Sequence, residues 1–181
     1  DAFADTIRPR VSQASGADRA IVLAEFMAQT LGFTGNKEHY YDPNNSYLNR
    51  VIDQRRGIPI SLSVLYLLLG WRLNLPVCGV NMPAHFLVKY RSRDTEVFLD
   101  LFNGGEIISK EACVRFLLKS GIRPLPTYFN RADPTSILLR MVRNLVVVAK
   151  EANQSQKAKE LTQLIEPWDP NIPSDNSNES E

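Results

Sequence analysis

The stretch Pro59-Ile-Ser-Leu-Ser-Val-Leu-Tyr-Leu-Leu-Leu-Gly-Trp-Arg-Leu73 carries apolar residues on nearly every side of a helical period, so it predicts a helix buried all round. Proline suits its first position, where the missing N–H is one that a helix start leaves unbonded anyway. Asn74-Leu75-Pro76 ends the pattern. Short β-rich runs follow at Val77 to Val80, Phe86 to Tyr90 and Val97 to Phe102, with Arg91 to Thr95 as a polar hairpin turn. Three strands laid on one buried helix define an α+β domain.

Upstream, residues 17–31 place apolar groups at helical spacing, and Gly32 follows as a stop. Gly35 to Asn45 reads as a loop around the turn cluster Asp42-Pro43-Asn44-Asn45. Asn45 or Ser46 can cap a second helix that runs through Arg55 and breaks at Gly57. Downstream, Ser109 caps a helix ending at Lys119, with Cys113 packed inside it. After a proline-containing connector, Pro134 to Ala152 and Gln154 to Ile165 predict an antiparallel helix pair. From Pro167 the chain is acidic and rich in Asn, Ser and Pro, the composition of a disordered tail.

With 181 residues, 44% of them hydrophobic, the chain has material for one ordinary core. Its longest apolar stretch, Ile58 to Leu69, is interrupted by two serines and a tyrosine and falls short of the ~20 residues a bilayer demands, so no membrane role is expected. Net charge is +1, but residues 166–181 hold five acids and no base; residues 1–165 therefore carry 21 cations against 15 anions, or +6. That excess is mild and lacks a basic stripe with interleaved aromatics, which argues against nucleic acid as partner. Cys78 and Cys113 form neither a metal-ligand spacing nor a disulfide framework; no metal or cofactor is expected, and a reducing compartment such as the cytoplasm fits.

Only two histidines occur, His39 and His85, and only His85 lies between apolar strand-like segments. Histidine is the side chain best suited to proton transfer near neutral pH, and Asp100 on the next strand could hold its tautomer. The start of the buried helix is where a thiol would be activated by the helix dipole and an adjacent imidazole. Helix, His strand and Asp strand follow one another in the order of transglutaminase-like and papain-like folds.

Three motifs make the likeness specific: Arg55-Arg-Gly-Ile-Pro-Ile-Ser-Leu-Ser-Val-Leu-Tyr66, Pro83-Ala-His-Phe86 and Phe98-Leu-Asp-Leu-Phe-Asn-Gly-Gly105. Together with Tyr40-Tyr-Asp-Pro-Asn-Asn-Ser-Tyr-Leu-Asn49, they resemble the SirB-type transglutaminase-like family over roughly residues 20–120. The resemblance implies a transglutaminase-like domain over residues 17–122, preceded by an N-terminal segment (1–16). It would be followed by a connector (123–133), a helical extension similar to a tetratricopeptide repeat (134–166) and the tail (167–181). It also implies a regulatory association, since the family name is tied to control of gene expression in bacteria and related domains occur in F-box proteins.

In the wider superfamily the nucleophilic cysteine lies two residues after a glycine at the start of the central helix; counted from Gly57, that position is Pro59. Proline offers no nucleophile. The expectation is a domain that binds another protein or peptide through a cleft around His85 and Asp100, without catalysis. A competing expectation is a hydrolase or acyltransferase in which Ser61 attacks, His85 is the base and Asp100 orients it. Cys78 sits on the strand after the helix and reads as a packed core thiol. Tyr40, Tyr41, Arg55, Arg56 and Asn103 are candidate groove residues, although Arg55 and Arg56 also suit a helix C-terminus and Asn103 a turn.

Overall fold

A computed structural model describes residues 1–169. The buried helix forms as the sequence predicts: α4, Pro59–Arg72, has Pro59 at its first position and lies at the centre of the larger core cluster. Around it in chain order come α1 (Ala2–Gln13), α2 (Asp18–Glu25), β1 (Thr34–Gly35), α3 (Leu48–Gln54) and β2 (Arg56–Gly57). After α4 follow β3 (Val77–Val80), β4 (Leu87–Arg91), β5 (Glu96–Asp100), β6 (Glu106–Ile108), α5 (Lys110–Lys119), α6 (Pro134–Glu151) and α7 (Ser155–Ile165). The acidic tail expected over residues 167–181 lies outside the described residues from position 170 onward.

Strands β3 to β6 form an antiparallel meander in the order of the chain, with Cys78 opposite Lys89, Val88 opposite Leu99 and Phe98 opposite Ile108. Both faces are covered, which is why the strands lack a clean polar alternation. Val77, Val88, Tyr90 and Leu99 point into the cluster around α4. Val80, Leu87 and Phe98 point the other way, onto Cys113 and Leu117 of α5 and onto Phe129. Asp100 shares this second face at the end of β5, so its carboxylate emerges between the sheet and α5.

Tyr66 fixes α4 to α2 by donating its hydroxyl to the Ala20 carbonyl at 2.7 Å, and burial pushes the phenol's pKa far up. Residues 1–16, to which no element was assigned from sequence, contain α1, which buries Ala4, Ile7 and Val11 along one stripe. The last turn of the helix expected over 17–31 widens into a π-helical turn, Phe26–Thr30. Two further elements escape sequence reading: β6, and the two-residue parallel ladder of β1 with β2. At that ladder a side chain on Gly35 would overlap the carbonyl oxygen and ring of Phe102, so only glycine lets β1 close against the turn that follows Asp100. α6 is tied to the domain by Ile137, which joins the central cluster, while its Arg143 pairs with Asp169 in the segment after α7.

Candidate functional site

His85 follows a tight turn, Met82-Pro83-Ala84-His85, closed by the His85 N–H donating to the Met82 carbonyl at 3.2 Å. Pro83 fits the second position of such a turn; Ala84 at the third adopts φ +60°, a left-handed conformation that costs an alanine roughly 1 kcal/mol. That backbone aims His85 toward the end of β5. There Nε2 meets the Asp100 Oδ2 at 2.7 Å.

Asp100 is 2% exposed and saturated with donors. Its Oδ1 accepts the backbone N–H groups of Phe102 (3.0 Å) and Asn103 (3.2 Å), and its Oδ2 accepts the Asn103 side-chain amide (2.8 Å) beside His85. Burial alone would push the carboxyl up. The hydrogen bond and charge of His85, with the Asn103 donors, outweigh it and hold Asp100 below the ordinary carboxylate range. An ionised Asp100 can only accept, so the shared proton resides on Nε2 and the lone pair of a neutral His85 lies on Nδ1.

His85 and Asp100 lie on the wall of a cavity of about 550 Å3 between the sheet, α5 and the start of α4. Pro59 forms part of that wall, so the position counted from Gly57 does face the imidazole's cavity, with a pyrrolidine ring where a nucleophile would stand. The rest is largely apolar, including Leu87, Phe102, Ile107 and Phe116. Phe116 reaches the imidazole, ring centroids 5.8 Å apart.

The structure brings Tyr40 and Asn103 to this cavity and leaves the other sequence candidates elsewhere. Tyr40 lines it, edge-on to Phe102 at 6.0 Å, while Tyr41 meets Tyr40 edge-to-face, is not among the lining residues and stays exposed. Burial raises the Tyr40 phenol, against the pull of the Arg140 charge. Arg55 ends α3 with φ +59° and lays its guanidinium over Phe3 (5.0 Å) and Phe33 (4.7 Å), which makes it a packing residue of the helical side. Arg56 pairs with Thr34 in the short parallel ladder and projects to solvent.

Ser61 is also turned away. It is 1% exposed, its Oγ accepts the Ile58 N–H at 3.0 Å and donates to the Asn45 carbonyl at 2.6 Å, and it is not among the cavity's lining residues. A hydroxyl committed to the free amide of a helix start has no proton path to His85. The serine-nucleophile arrangement therefore has no geometry behind it.

Two residues that sequence reading did not assign to the site matter there. Cys113 lines the cavity from α5, but burial first, and then the negative charge of Asp100, push its thiol up, so it stays protonated. Arg140 of α6 donates to both the Asn81 side chain and the Met82 carbonyl (2.7 Å) and sits over the Phe86 ring at 5.7 Å. It thereby clamps the loop that carries His85. Helical spacing gave no signal for either role, since both residues occupy ordinary amphipathic positions. Among the described residues no cluster of His, Cys, Asp and Glu could hold a metal, and no helix is long and apolar enough to cross a membrane.

Comparison with known proteins supplies relatives. A UPF0162 protein of Xylella fastidiosa (strain 9a5c) is 36% identical over 159 residues, 82% of this chain and 55% of that protein. A UPF0162 protein of Vibrio cholerae is 30% identical over 149 residues, 78% of this chain and 55% of the relative. F-box only protein 21 of Homo sapiens is 31% identical over 134 residues, 70% of this chain but 21% of that protein. The chain thus spans about half the length of the bacterial relatives it matches. No solved structure matches it. The family model described as the transglutaminase-like superfamily matches residues 1–143, from α1 through the clamp of α6, and the chain belongs to that superfamily.

Proposed function

We propose that the chain is a non-catalytic, SirB-type member of the superfamily whose cavity at His85 and Asp100 holds an apolar side chain of a partner protein or peptide. The observation that carries the reading is Pro59 on the cavity wall. The hydroxyl nearest in sequence, Ser61, is consumed by the helix start, and the thiol that does reach the cavity, Cys113, is held protonated. Without an activated nucleophile, the imidazole has no attacking group to deprotonate.

The rim supports a peptide as occupant. Ile107, Phe116 and Tyr40 line the cavity yet remain 59%, 40% and 39% exposed, an apolar margin that loses water only when something lies across it. About 550 Å3 accommodates a large apolar side chain together with the adjoining backbone. His85 Nδ1 then accepts one backbone N–H of the peptide and sets its register. The α6–α7 hairpin serves as the tetratricopeptide-like extension, and the cytoplasm is the compartment in which Cys78 and Cys113 remain thiols.

The test pairs selection with turnover. Peptides displayed as a random library are selected on the wild-type protein, then measured against His85→Ala and Ile107→Asp; each variant should bind about tenfold more weakly. Acyl, amide and ester substrates are offered in parallel to wild type, Ser61→Ala and His85→Ala, and no turnover is expected. Turnover abolished in His85→Ala would overturn the non-catalytic reading. Peptides that bind both variants as tightly as wild type would overturn the cavity as the binding site.

A further inference from the structure

Lys89, Arg91 and Arg131, with Cys78 and Asn130, line a second cavity of about 500 Å3 that shares no residue with the one at His85. It lies at the β3 edge of the sheet, where the pairing of Cys78 with Lys89 puts both side chains on one face. Every charged residue on its wall is a cation. Lys89 is 6% exposed, unusual for a lysine, and its ammonium donates to the Phe129 carbonyl at 2.7 Å and meets the Glu96 carboxylate at 3.3 Å. An ammonium has three N–H donors, so a third is left for an acceptor in the cavity.

Arg91 and Arg131 are exposed and form no ion pair among the described residues. Their guanidinium groups remain open for bidentate contacts at the cavity wall. Burial pushes the Cys78 thiol up; Lys89, Arg131 and Arg91 each pull against it, and Glu96 adds to it.

We propose that this cavity binds the dianion of a phosphomonoester. Three cations less the Glu96 carboxylate leave a charge of +2, which a phosphomonoester at about −1.5 to −2 neutralises while its three oxygens meet donors from three directions. A simple carboxylate supplies half that charge. The volume leaves room beside the phosphoryl group for an organic body.

The probes are inorganic phosphate, O-phosphoserine and, as a control without the phosphoryl group, serine, titrated at fixed ionic strength into the 15N-labelled full chain. Saturable shifts are expected at the amides of Cys78, Lys89 and Asn130 with both phosphates and not with serine, and the Ala84 and His85 amides should stay still. Arg91→Gln and Arg131→Gln should each weaken binding about tenfold. Both side chains are exposed, so unfolding temperatures should not move. Tighter binding of O-phosphoserine than of phosphate assigns the site to an organic phosphate; equal binding assigns it to the free anion, and either result supports a phosphoryl site. Shifts that do not saturate, or an affinity that survives both glutamine substitutions, overturn it.

Discussion

Replacing Pro59 with cysteine asks whether the cavity still holds the geometry of a thiol triad. Pro59 begins a 14-residue helix and lines the cavity that His85 enters, so the introduced thiol would meet both the positive end of the α4 dipole and the imidazole. Free cysteine titrates near ~8.5, and thiols in such surroundings fall to about 3.5–7.5; with one helix end and one histidine, an inflection near ~6.5 is expected. Losing a proline pre-set for the first helical position costs about 0.4–1 kcal/mol, too little to unfold a domain with the usual ~5–15 kcal/mol. Alkylation by iodoacetamide, read by mass spectrometry from pH 4 to 9, measures the inflection site by site. Cys78 and Cys113 supply internal references, because burial raises both thiols and keeps them slow across most of that range. Adding His85→Ala should move the inflection back toward the ordinary value. A thiol at position 59 that titrates at ~8.5 or above, or one indifferent to His85, would refute the reasoning that position 59 meets the helix dipole and the imidazole.

Three other substitutions separate the structural roles around it. Asp100→Ala removes the acceptor of four donors and should cost about 3–4 kcal/mol in chemical denaturation, at roughly 1 kcal/mol per stranded donor beside a cavity that water can enter. Since the folded carboxyl titrates below its unfolded value of ~3.9, the stability it supplies is present above that pH and lost as pH falls through the folded value; the gap between wild type and Asp100→Ala should narrow below about pH 4. Ser61→Ala strands the Ile58 N–H and the Asn45 carbonyl and should cost about 2–3 kcal/mol while leaving peptide affinity at the cavity unchanged; lost binding with unaltered stability would contradict its placement. Arg140→Met uncouples α6 from the loop before His85, so about 2 kcal/mol of stability and the hydrogen-exchange protection of the His85 amide should fall together.

What could be read from the chain and what could not divides along physical lines. The central helix was legible because residues 59–73 are apolar on all sides and begin with proline, and β3 because Asn74-Leu75-Pro76 punctuates it. α1 was not, since Pro9 in its interior removes a backbone hydrogen bond, and only the burial of Ala4, Ile7 and Val11 makes that loss tolerable. β6 is three residues long, too short for a period to register. His85 and Asp100 were legible from residue type and order. Sequence places Ser61 in the right helical turn but says nothing of which way its hydroxyl turns; the hydrogen bond to Asn45, 16 positions away, is what the fold adds. Of the two readings open for Arg55, the helix C-terminus is where the structure puts it; its packing on Phe3 and Phe33 was not legible, those partners being distant in sequence and adjacent only in the fold.

The two members of the pair carry unequal weight as signs of function. Asp100 has a structural reason to be present whatever the cavity does: its Oδ1 bonds the Phe102 and Asn103 amides and so starts the 3-10 turn Leu101–Asn103. Another chain needing the same turn would choose Asp or Asn on those grounds alone. His85 has no such excuse. It bonds a carboxylate oxygen that Asn103 already satisfies, its side chain is 13% exposed, and an apolar ring would pack against Phe116 without introducing a polar atom into an apolar cavity. An imidazole kept there, behind an alanine held at positive φ and a loop clamped by Arg140, is costly to place, and the proposed binding role gives it a reason through its Nδ1. Under the proposed reading, with Pro59 on the same cavity wall, that group is an incoming N–H rather than a nucleophile of the protein's own.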